Sequence, residues 1–341
     1  MSDNKLQQRS LKEYIILSLY GFAMGTANVI PGVSGGTMAF LLGIYEELID
    51  SIRAFASLET FKLVIRFKIK ELLARLPWKF LLMLGIGVLV AFGSLAKFLT
   101  WFLDKHEVLT FAFFFGLVIA SIITVLKRVN RWSIGPFVSL LIGVVIAYLI
   151  VTLVPVETAP TPLNLFICGM IIICAMILPG ISGSFLLLVL GQYKYVLAAV
   201  TNHSLADLLT LFWVAAGCVV GLGSFVHLLN WLFKKFHDLT IATLIGFMIG
   251  SLWKLWPWHN TTLVALKKAG TYVELSLPQN KLEYMLKVHD GWKAKPLVQH
   301  NILPQSYDAS FWYAVGLAVL GFVIVIVMET LANKRSMIND K

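Results

Sequence analysis

Six long apolar segments decide the fold class of this chain. They cover residues 80–103, 108–126, 134–154, 208–233, 239–256 and 311–331. Each is close to the ~20 residues that a helix needs to cross the hydrocarbon core of a bilayer. Because 58% of the residues are hydrophobic and only 13% are charged, the chain has too few polar side chains to cover a water-soluble globule. The sequence therefore predicts an all-α integral membrane protein.

A motif of proline, glycine and hydroxyl residues occurs twice, each time inside a further apolar region. The first copy is Val-Ile-Pro-Gly-Val-Ser-Gly-Gly-Thr at 29–37, and the second is Ile-Leu-Pro-Gly-Ile-Ser-Gly-Ser-Phe at 177–185. The copies align without a gap at a shift of 148 residues. Proline and glycine interrupt the apolar arms on either side. Regions 14–52 and 163–200 are therefore predicted to be hairpins of broken helices that re-enter the membrane or cross it twice.

The duplication extends into the membrane spans. A second block aligns at a shift of 130 residues and pairs Gly87 with Gly217, Trp101 with Trp231, and Gly116 with Gly246. We divide the chain into two related repeats, 1–154 and 163–331. Each repeat holds one hairpin and three spans. A re-entrant hairpin adds no crossing and a fully spanning hairpin adds two, so each repeat crosses the membrane an odd number of times. The second repeat then starts from the opposite side of the membrane, and the repeats are predicted to be inverted. Inverted repeats with broken helices are typical of transporters whose substrate site lies at the repeat interface.

The basic residues predict the orientation, because cytoplasmic loops carry an excess of Lys and Arg. With the N-terminus inside, the basic stretch 53–79, the loop at 127–131 and the C-terminal tail all lie inside. Both termini are therefore expected in the cytoplasm. The formal net charge of +10 is explained by basic residues that set the orientation in the membrane and contact anionic lipid headgroups. We therefore expect no nucleic-acid partner.

Two segments lie outside the predicted spans. In 57–76, apolar residues recur at helical spacing beside a basic face, which predicts an amphipathic helix on the cytoplasmic surface or a basic helix packed on the bundle. The more polar segment 257–309 is predicted to be an extracytoplasmic loop with a strand at 272–277.

The repeated motif is suited to bind an anion. Pro31-Gly32 and Pro179-Gly180 are expected to break a helix. Ser34 or Ser182 is then placed as the N-cap of the next helix, whose first amides have no partner within that helix. Such a helix start attracts phosphate or carboxylate. The predicted phosphate-binding residues are Asn28, Ser34, Gly35, Gly36, Thr37, Ser182, Gly183 and Ser184.

Close helix packing is the alternative explanation of this motif, because small residues often line helix contacts in membranes. Two copies at matching positions, each just after a proline and a glycine, favour the binding role.

Ionisable residues in apolar regions are the second set of candidates, because they are costly in hydrocarbon and usually functional. Glu46 and Glu47 follow the first motif, and Lys194 takes the place of Glu46 in the second repeat. A carboxylate here could carry a coupling proton or sodium ion, and Lys194 could neutralise a phosphate or pair with a carboxylate. Lys97 and His227 occupy corresponding positions and could face a central cavity. The alternative for these residues is a structural role in packing or in the headgroup layer.

Apart from a coupling proton or sodium ion, no cofactor is expected. The three cysteines lie in apolar segments without the spacing of metal ligands, so we predict no metal site.

Four sequence blocks carry a resemblance to a known family. They are Gly-Thr-Ala-Asn-Val-Ile-Pro-Gly-Val-Ser-Gly-Gly-Thr at 25–37, Gly-Ile-Tyr-Glu at 43–46, Leu-Pro-Gly-Ile-Ser-Gly-Ser at 178–184 and Leu-Gly-Gln-Tyr at 190–193. The chain resembles the bacterial polyprenyl-phosphate transporters, over residues 12–256 and the last span.

This resemblance implies a function and a location. Members of the family return undecaprenyl phosphate from the outer to the inner leaflet of the cytoplasmic membrane, for cell-envelope synthesis. The implied partners are this lipid and the surrounding bilayer. On this interpretation the two motif loops hold the phosphate, one repeat moves against the other, and Glu46 or Glu47 couples transport to a cation.

Two other classes of protein remain open from the residues alone. A cation-coupled transporter of a small soluble anion would use the same broken helices around a cavity closed to lipid. An intramembrane enzyme such as a lipid phosphatase is disfavoured, because the sequence has no clustered nucleophile, acid and base.

Overall fold

The computed structural model describes residues 9–29, 34–153, 158–202, 204–268, 271–277, 288 and 292–339. This part of the chain is helical apart from one small sheet. The helices are α1 Leu11–Val29, α2 Gly35–Leu41, α3 Tyr45–Phe55, α4 Leu58–Ile65, α5 Ile69–Arg75, α6 Trp78–Lys105, α7 Glu107–Leu126, α8 Ile134–Thr152, α9 Pro162–Ile177, α10 Gly183–Val189, α11 Tyr193–Asn202, α12 Leu205–Lys235, α13 His237–Leu255 and α14 Ala309–Asn339.

Six of the described helices are long and apolar enough to cross a membrane, namely α6, α7, α8, α12, α13 and α14. Each corresponds to one of the six predicted segments, so the prediction of a mostly helical, multi-pass membrane protein is confirmed for this part of the chain. In four of these six spans, only about 17–22% of the residues are buried within the protein. Most of their apolar side chains are therefore left for contact with lipid.

The two motif regions have the same local structure. In each, a long helix (α1 or α9) is followed by a helix of seven residues (α2 or α10) and then by another helix (α3 or α11). Pro179 and Gly180 lie between α9 and α10, whereas Pro31 and Gly32 lie outside the described residues. The turn after each short helix contains a glycine in the left-handed region, with φ of 75° at Gly43 and 72° at Gly191.

Helices pair in the same way in both halves of the chain. α1 packs along α6 as α9 packs along α12, and α7 packs along α14 as α13 packs along α8. Glycines let the backbones touch at these crossings: Gly21 and Gly87 lie against the partner backbone between α1 and α6, and Gly169 and Gly217 do so between α9 and α12. Close approach through glycine is the usual basis of helix association in lipid.

The bundle has two distinct ends. At the first, called the sheet end, Gln299 of the sheet donates from Nε2 to Glu107 Oε1 at the start of α7 over 3.0 Å. At the second, called the loop end, the carboxylate of Asp238 at the start of α13 accepts the backbone N–H of Asn130 over 3.1 Å. α13 connects the two ends, which are roughly 28 Å apart.

Successive spans alternate in direction between these ends. α6, α8 and α13 run toward the sheet end, and α7, α12 and α14 run toward the loop end. Lys127, just after α7, pairs with Glu329 of α14 over 3.3 Å, which places the far part of α14 at the loop end.

The segment predicted as one amphipathic helix is two helices, α4 and α5. The prediction of a continuous helix over 57–76 is wrong, because the chain turns at Phe67, which has φ of 51°. An ion pair between Arg75 and Glu59 ties α5 to α4. Leu58, Phe61 and Phe67 are exposed, so apolar side chains line the surface of this element.

The segment between α13 and α14 forms a three-stranded antiparallel sheet. Its strands are β1 His259–Lys268, β2 Thr271–Ser276 and β3 Lys293–Asn301, in the order β2-β1-β3. The strand predicted at 272–277 is β2. The sheet is attached to α13, since Asn301 Nδ2 donates to the carbonyl oxygen of Trp253 over 2.7 Å.

Candidate functional site

The two copies of the motif touch each other in the middle of the bundle. The backbone N–H of Gly180 donates to Thr37 Oγ1 over 2.9 Å, and Ser34 Oγ donates to the carbonyl oxygen of Leu178 over 3.3 Å. Ser34 and Thr37 are only 3% and 1% exposed. We call residues 34–37 and 177–184 the paired loops. The structure thus joins, by direct hydrogen bonds, residues that are distant in sequence.

The first loop is closed by side chains of its own repeat. Ser34 is the N-cap of α2, and its hydroxyl oxygen accepts the N–H of Gly36 over 3.1 Å. Asn28 Oδ1 accepts the N–H of Gly35 over 2.7 Å. Two amides expected to face an anion therefore already have side-chain acceptors in this conformation.

The second loop is built differently. Met176 stands at the position of Asn28, and its side chain lies against Gly183. Ser182 has an extended backbone at the start of α10, but its side chain forms no capping hydrogen bond with that helix. The side chain of Ser184 lies outside the described residues. Ser182 therefore does not cap α10 as Ser34 caps α2.

α13 covers the second loop. A Cβ at Gly180 would lie 2.8 Å from the carbonyl oxygen of Phe247 and 2.8 Å from Ser251 Oγ. Gly180 also has φ of 84°, so glycine is required here both by space and by conformation. This contact connects the paired loops to a helix that reaches both ends of the bundle.

The predicted coupling carboxylates lie at the loop end. Glu47 Oε2 pairs with Arg9 Nη2 over 2.7 Å, and Glu46 Oε1 lies 3.6 Å from His237 Nε2. Both glutamates belong to the first turn of α3. The whole of α2, roughly 10 Å long, separates them from the paired loops.

The other ionisable candidates are not brought to the paired loops by any described contact. His227 is exposed on α12, where its Nδ1 lies 2.6 Å from the carbonyl oxygen of Gly223 on the same helix. Lys97 lies in α6 and Lys194 in the first turn of α11, and their side chains lie outside the described part of the structure.

Two other cations are placed where sequence reasoning did not look for a site. Arg128 follows α7 at the loop end and lies 5.9 Å from the ring centroid of Phe40 in α2. Burial lowers the pKa of its guanidinium. Lys254, near the end of α13, lies 5.5 Å from the ring of Phe185 in α10. The sequence identifies Arg128 and Lys254 only as charged residues near span ends. Their contacts with α2 and α10 join segments that are distant in sequence, so no local pattern predicts them.

His259 adds a further polar group at the sheet end. Both ring nitrogens are buried without a hydrogen-bond partner, and the ring packs 5.3 Å from that of Phe111. Burial and the nearby charge of Lys254 lower the pKa of His259 to about 4. The ring is therefore neutral near pH 7.

An apolar groove leads from the outer surface of the bundle to the paired loops. It has a volume of about 400 Å³, lies between α8, α12 and α13, and reaches Leu178. This is the residue whose carbonyl oxygen accepts the hydroxyl of Ser34. Phe236 and Leu239 of the groove are exposed. The remaining apolar lining includes Phe225, Leu229, Leu232, Leu244 and Phe247.

These features define a multi-pass α-helical membrane protein in which two broken-helix loops meet beside an apolar groove. Comparison with known proteins gives the family. The family model described as VCA0040-like, undecaprenyl phosphate translocase-like, matches residues 24–273. The chain belongs to this family.

Two curated relatives support the same assignment. A protein of Vibrio cholerae serotype O1 named polyprenyl-phosphate transporter is 36% identical over 327 residues, which cover 94% of this chain and 98% of the relative. A protein of the same name from Staphylococcus aureus is 34% identical over 262 residues, covering 72% of this chain and 87% of the relative. No solved structure matches the chain. The resemblance inferred from the four sequence blocks is confirmed, and both relatives are named as transporters rather than enzymes.

Proposed function

We propose that this protein is a translocase for undecaprenyl phosphate, which it returns from the outer to the inner leaflet of the bacterial cytoplasmic membrane. The names of both relatives support a polyprenyl phosphate as substrate. The observation that carries the proposal is the groove that joins the apolar surface of α12 and α13 to Leu178 of the paired loops. Such a groove lets an isoprenoid tail stay in the bilayer while its phosphate reaches polar groups inside the protein.

The phosphate would bind at the paired loops, which gives a charged headgroup polar partners in place of hydrocarbon. At the second loop, the first amides of α10, at Gly183 and Ser184, would donate to phosphate oxygens together with the Ser182 hydroxyl. At the first loop, phosphate would replace Asn28 and Ser34 as the acceptor for Gly35 and Gly36. A phosphate between the loops would displace the Gly180 N–H from Thr37, whose hydroxyl would then donate to a phosphate oxygen, so binding would separate the loops.

The helix directions support a protein made of inverted repeats. α6 runs toward the sheet end and its repeat partner α12 runs toward the loop end, and the other repeat-related spans are opposed in the same way. Such repeats produce alternating access when one moves against the other around a central site.

Contacts at the base of each hairpin support re-entry. The ion pair between Arg9 and Glu47 brings the start of α1 to the start of α3. In the second hairpin, Gln192 Nε2 donates to Thr158 Oγ1 over 2.5 Å, which joins the residues before α9 to the turn before α11. These two contacts favour hairpins that re-enter the membrane over hairpins that cross it twice.

Coupling to a proton or a sodium ion would act through the loop-end carboxylates. Neutralising Glu47 would release Arg9 and loosen α1 from α3. Neutralising Glu46 would weaken its contact with His237 at the start of α13. Either event would free the first hairpin from its neighbours.

A transporter of a small soluble anion is the competing function. Such a protein needs a path sealed from lipid, whereas the groove at α12 and α13 opens between apolar, exposed side chains. We therefore favour the lipid substrate.

The test is transport by the purified protein in proteoliposomes loaded with labelled undecaprenyl phosphate in one leaflet. We expect the intact chain to move the headgroup between leaflets and to respond to an imposed proton or sodium gradient. Excess phosphate or another soluble anion should compete weakly. No lipid movement by correctly folded protein under either gradient would contradict the proposal, and uptake of the soluble anion instead would favour the competing function.

A further inference from the structure

The segment between α3 and α6 exposes a large apolar surface. It consists of α4, the turn at Phe67 and α5, and we call it the α4–α5 segment. Its large apolar side chains are between 47% and 85% exposed, and Phe67 is the most exposed of them. An apolar patch of this kind marks a surface that contacts another molecule or a membrane. The side chains that form it are Leu58, Phe61, Val64, Ile65, Phe67, Ile69 and Leu73.

The exposed apolar side chains of α4 form a stripe along one face of the helix. Leu58, Phe61 and Ile65 recur at helical spacing, which places them on the same face. Thr60 lies on another face, where it is 5% exposed and its Oγ1 donates to the carbonyl oxygen of Ala54 over 2.6 Å. α4 is therefore attached to the end of α3 while its apolar stripe is turned outward.

Basic residues flank this apolar stripe. Lys62 and Arg66 are four residues apart, on the side of α4 next to the stripe, and Lys70 lies in the first turn of α5. All three are exposed. Within the described part of the chain, none of the three has an ion-pair partner. The apolar surface is thus bordered by charges that are available to an anion.

The acids of the segment do not neutralise these charges. Glu59 pairs with Arg75, and Glu71 pairs with Lys68 over 2.6 Å. The segment therefore carries an excess of three positive charges. Two copies of this surface packed against each other would bring like charges together, which is costly. An apolar surface with an anionic border is the complementary partner.

The α4–α5 segment lies next to the start of a membrane span. α6 follows α5 and begins with Trp78 and Lys79, whose ammonium lies 5.6 Å from the centroid of the Trp78 ring. The guanidinium of Arg9 lies 5.3 Å from the centroid of the Phe80 ring. Tryptophan and basic residues are typical of the level at which a span meets the headgroup layer. The segment therefore leads into this layer at the loop end.

We infer that the α4–α5 segment is a binding surface for anionic phospholipid, lying in the headgroup layer at the loop end. Its apolar side chains, with Phe67 at the turn, insert among the acyl chains, while Lys62, Arg66 and Lys70 contact the phosphates of the headgroups. The inference goes beyond the proposed function, because these lipids belong to the surrounding bilayer and are not transported. Since the segment connects α3 to α6, bound lipid would hold the end of the first motif region beside the first span.

The first test identifies what covers the apolar surface. Phe67 is replaced by the photo-cross-linker p-benzoylphenylalanine in the full chain, which is placed in vesicles that contain anionic phosphatidylglycerol. The control is the same replacement at Val288, which is 40% exposed between β2 and β3. We expect cross-links from position 67 to lipid acyl chains at about five times the level of the control or more. Cross-links to a second copy of the chain, or none to lipid above the control, would overturn the inference.

The second test asks whether the bound lipid is anionic. Amide hydrogen exchange of residues 58–75 in the intact chain is compared between nanodiscs of zwitterionic lipid and nanodiscs that contain phosphatidylglycerol. We expect the anionic lipid to slow exchange about tenfold. The effect should disappear in about 1 M salt, where screening acts over roughly 3 Å. This comparison needs no variant, so its outcome does not depend on how a variant folds.

Paired variants then assign the effect to particular cations. Lys62→Gln with Arg66→Gln should remove most of the slowing by phosphatidylglycerol. Lys234→Gln with Lys235→Gln is the matched control, because it removes two charges from exposed residues at the end of α12. Exchange of residues 58–75 in this control should stay within about twofold of the intact chain. The same loss of slowing in both pairs would overturn the assignment to the α4–α5 segment.

The outcomes separate this inference from the proposed function. If position 67 cross-links to acyl chains but exchange is the same in both lipids, the segment is only an apolar anchor and the anionic-lipid surface is overturned. If both tests give the expected result while the chain moves no undecaprenyl phosphate, the surface stands and the proposed function fails.

Discussion

At the scale of single residues, the two copies of the motif differ where they touch. Asn28 closes the first loop with a hydrogen bond to Gly35, whereas the second copy has Met176 at that position. Thr37 accepts the amide of Gly180, whereas the second copy has Phe185, which packs near Lys254. The contact is therefore asymmetric: the hydroxyls of the first loop hold the backbone of the second.

The first prediction concerns this contact. Thr37→Val keeps the shape of the side chain but removes the acceptor for the buried amide of Gly180. Leaving that donor without a partner should lower the free energy of unfolding by about 1–3 kcal/mol, measured by thermal unfolding in detergent. Thr330→Val is the control, because that exposed hydroxyl bonds only to its own helix. Equal stability of the two variants would argue against the contact.

The second prediction concerns pH. The pKa of His259 is lowered to about 4, while an unfolded histidine titrates near 6.5. Between these values the unfolded chain binds a proton that the folded chain does not, so stability should fall as pH decreases from about 6.5 to about 4, by at most roughly 3 kcal/mol. Above that range His259 should have no effect.

The control for this pH dependence is His259→Gln, which removes the titrating ring. Thermal unfolding of the variant should depend less on pH between about 4 and 6.5 than that of the intact chain. Identical slopes for the two proteins would show that His259 does not carry the effect.

At the scale of elements, paired glycines set the distance between repeat-related helices. Gly87 of α6 lies against the carbonyl oxygen of Ser18 in α1, and Gly217 of α12 lies against that of Phe166 in α9. Because the same crossing occurs in both repeats, each hairpin is attached to the first span that follows it. A hairpin and its span are therefore expected to move as one unit.

The third prediction tests that attachment. Gly87→Ala places a methyl group against backbone that cannot move aside easily, and we expect a loss of about 1–3 kcal/mol of stability. Gly85→Ala is the matched control, since a Cβ at Gly85 meets nothing within 4 Å. Thermal unfolding should separate the two variants by several degrees. Similar melting temperatures would mean that the crossing tolerates a wider separation.

The sequence predicts the elements whose pattern is local. Six spans follow from continuous apolar runs, and β2 follows from a short alternating run at 272–277. The break at Phe67 has no such signal, because apolar spacing continues through it and only the positive φ of 51° reveals the turn. β1 and β3 are also missed, since their pairing with each other joins distant segments.

The candidate site is predictable only in part for the same reason. Ser34 as an N-cap follows from the residues beside it. The bond from Ser34 to Leu178, the position of Arg128 against Phe40, and the groove at α12 depend on how the helices pack. None of these has a signature within a short stretch of sequence.

At the scale of the whole molecule, the paired loops lie where repeat-related elements meet. Their hydrogen bonds join the two hairpins, α13 covers the second loop, and the groove reaches the loops from the apolar surface of α12 and α13. A headgroup that enters between the loops would break the contacts that hold the repeats together. Substrate binding and relative motion of the repeats are thereby linked in the proposed mechanism.

The most direct measurement is leaflet-resolved transport of undecaprenyl phosphate in proteoliposomes by two double variants. Ser34→Leu with Ser182→Leu fills the paired loops. Ser94→Leu with Ser224→Leu makes the same change at repeat-equivalent serines that are exposed and bond to their own helices. We predict that the first double variant loses transport and that the second keeps it. Thermal unfolding of both variants should show that each is folded. Transport by the first variant at the rate of the intact chain would contradict the assignment of the phosphate to the paired loops.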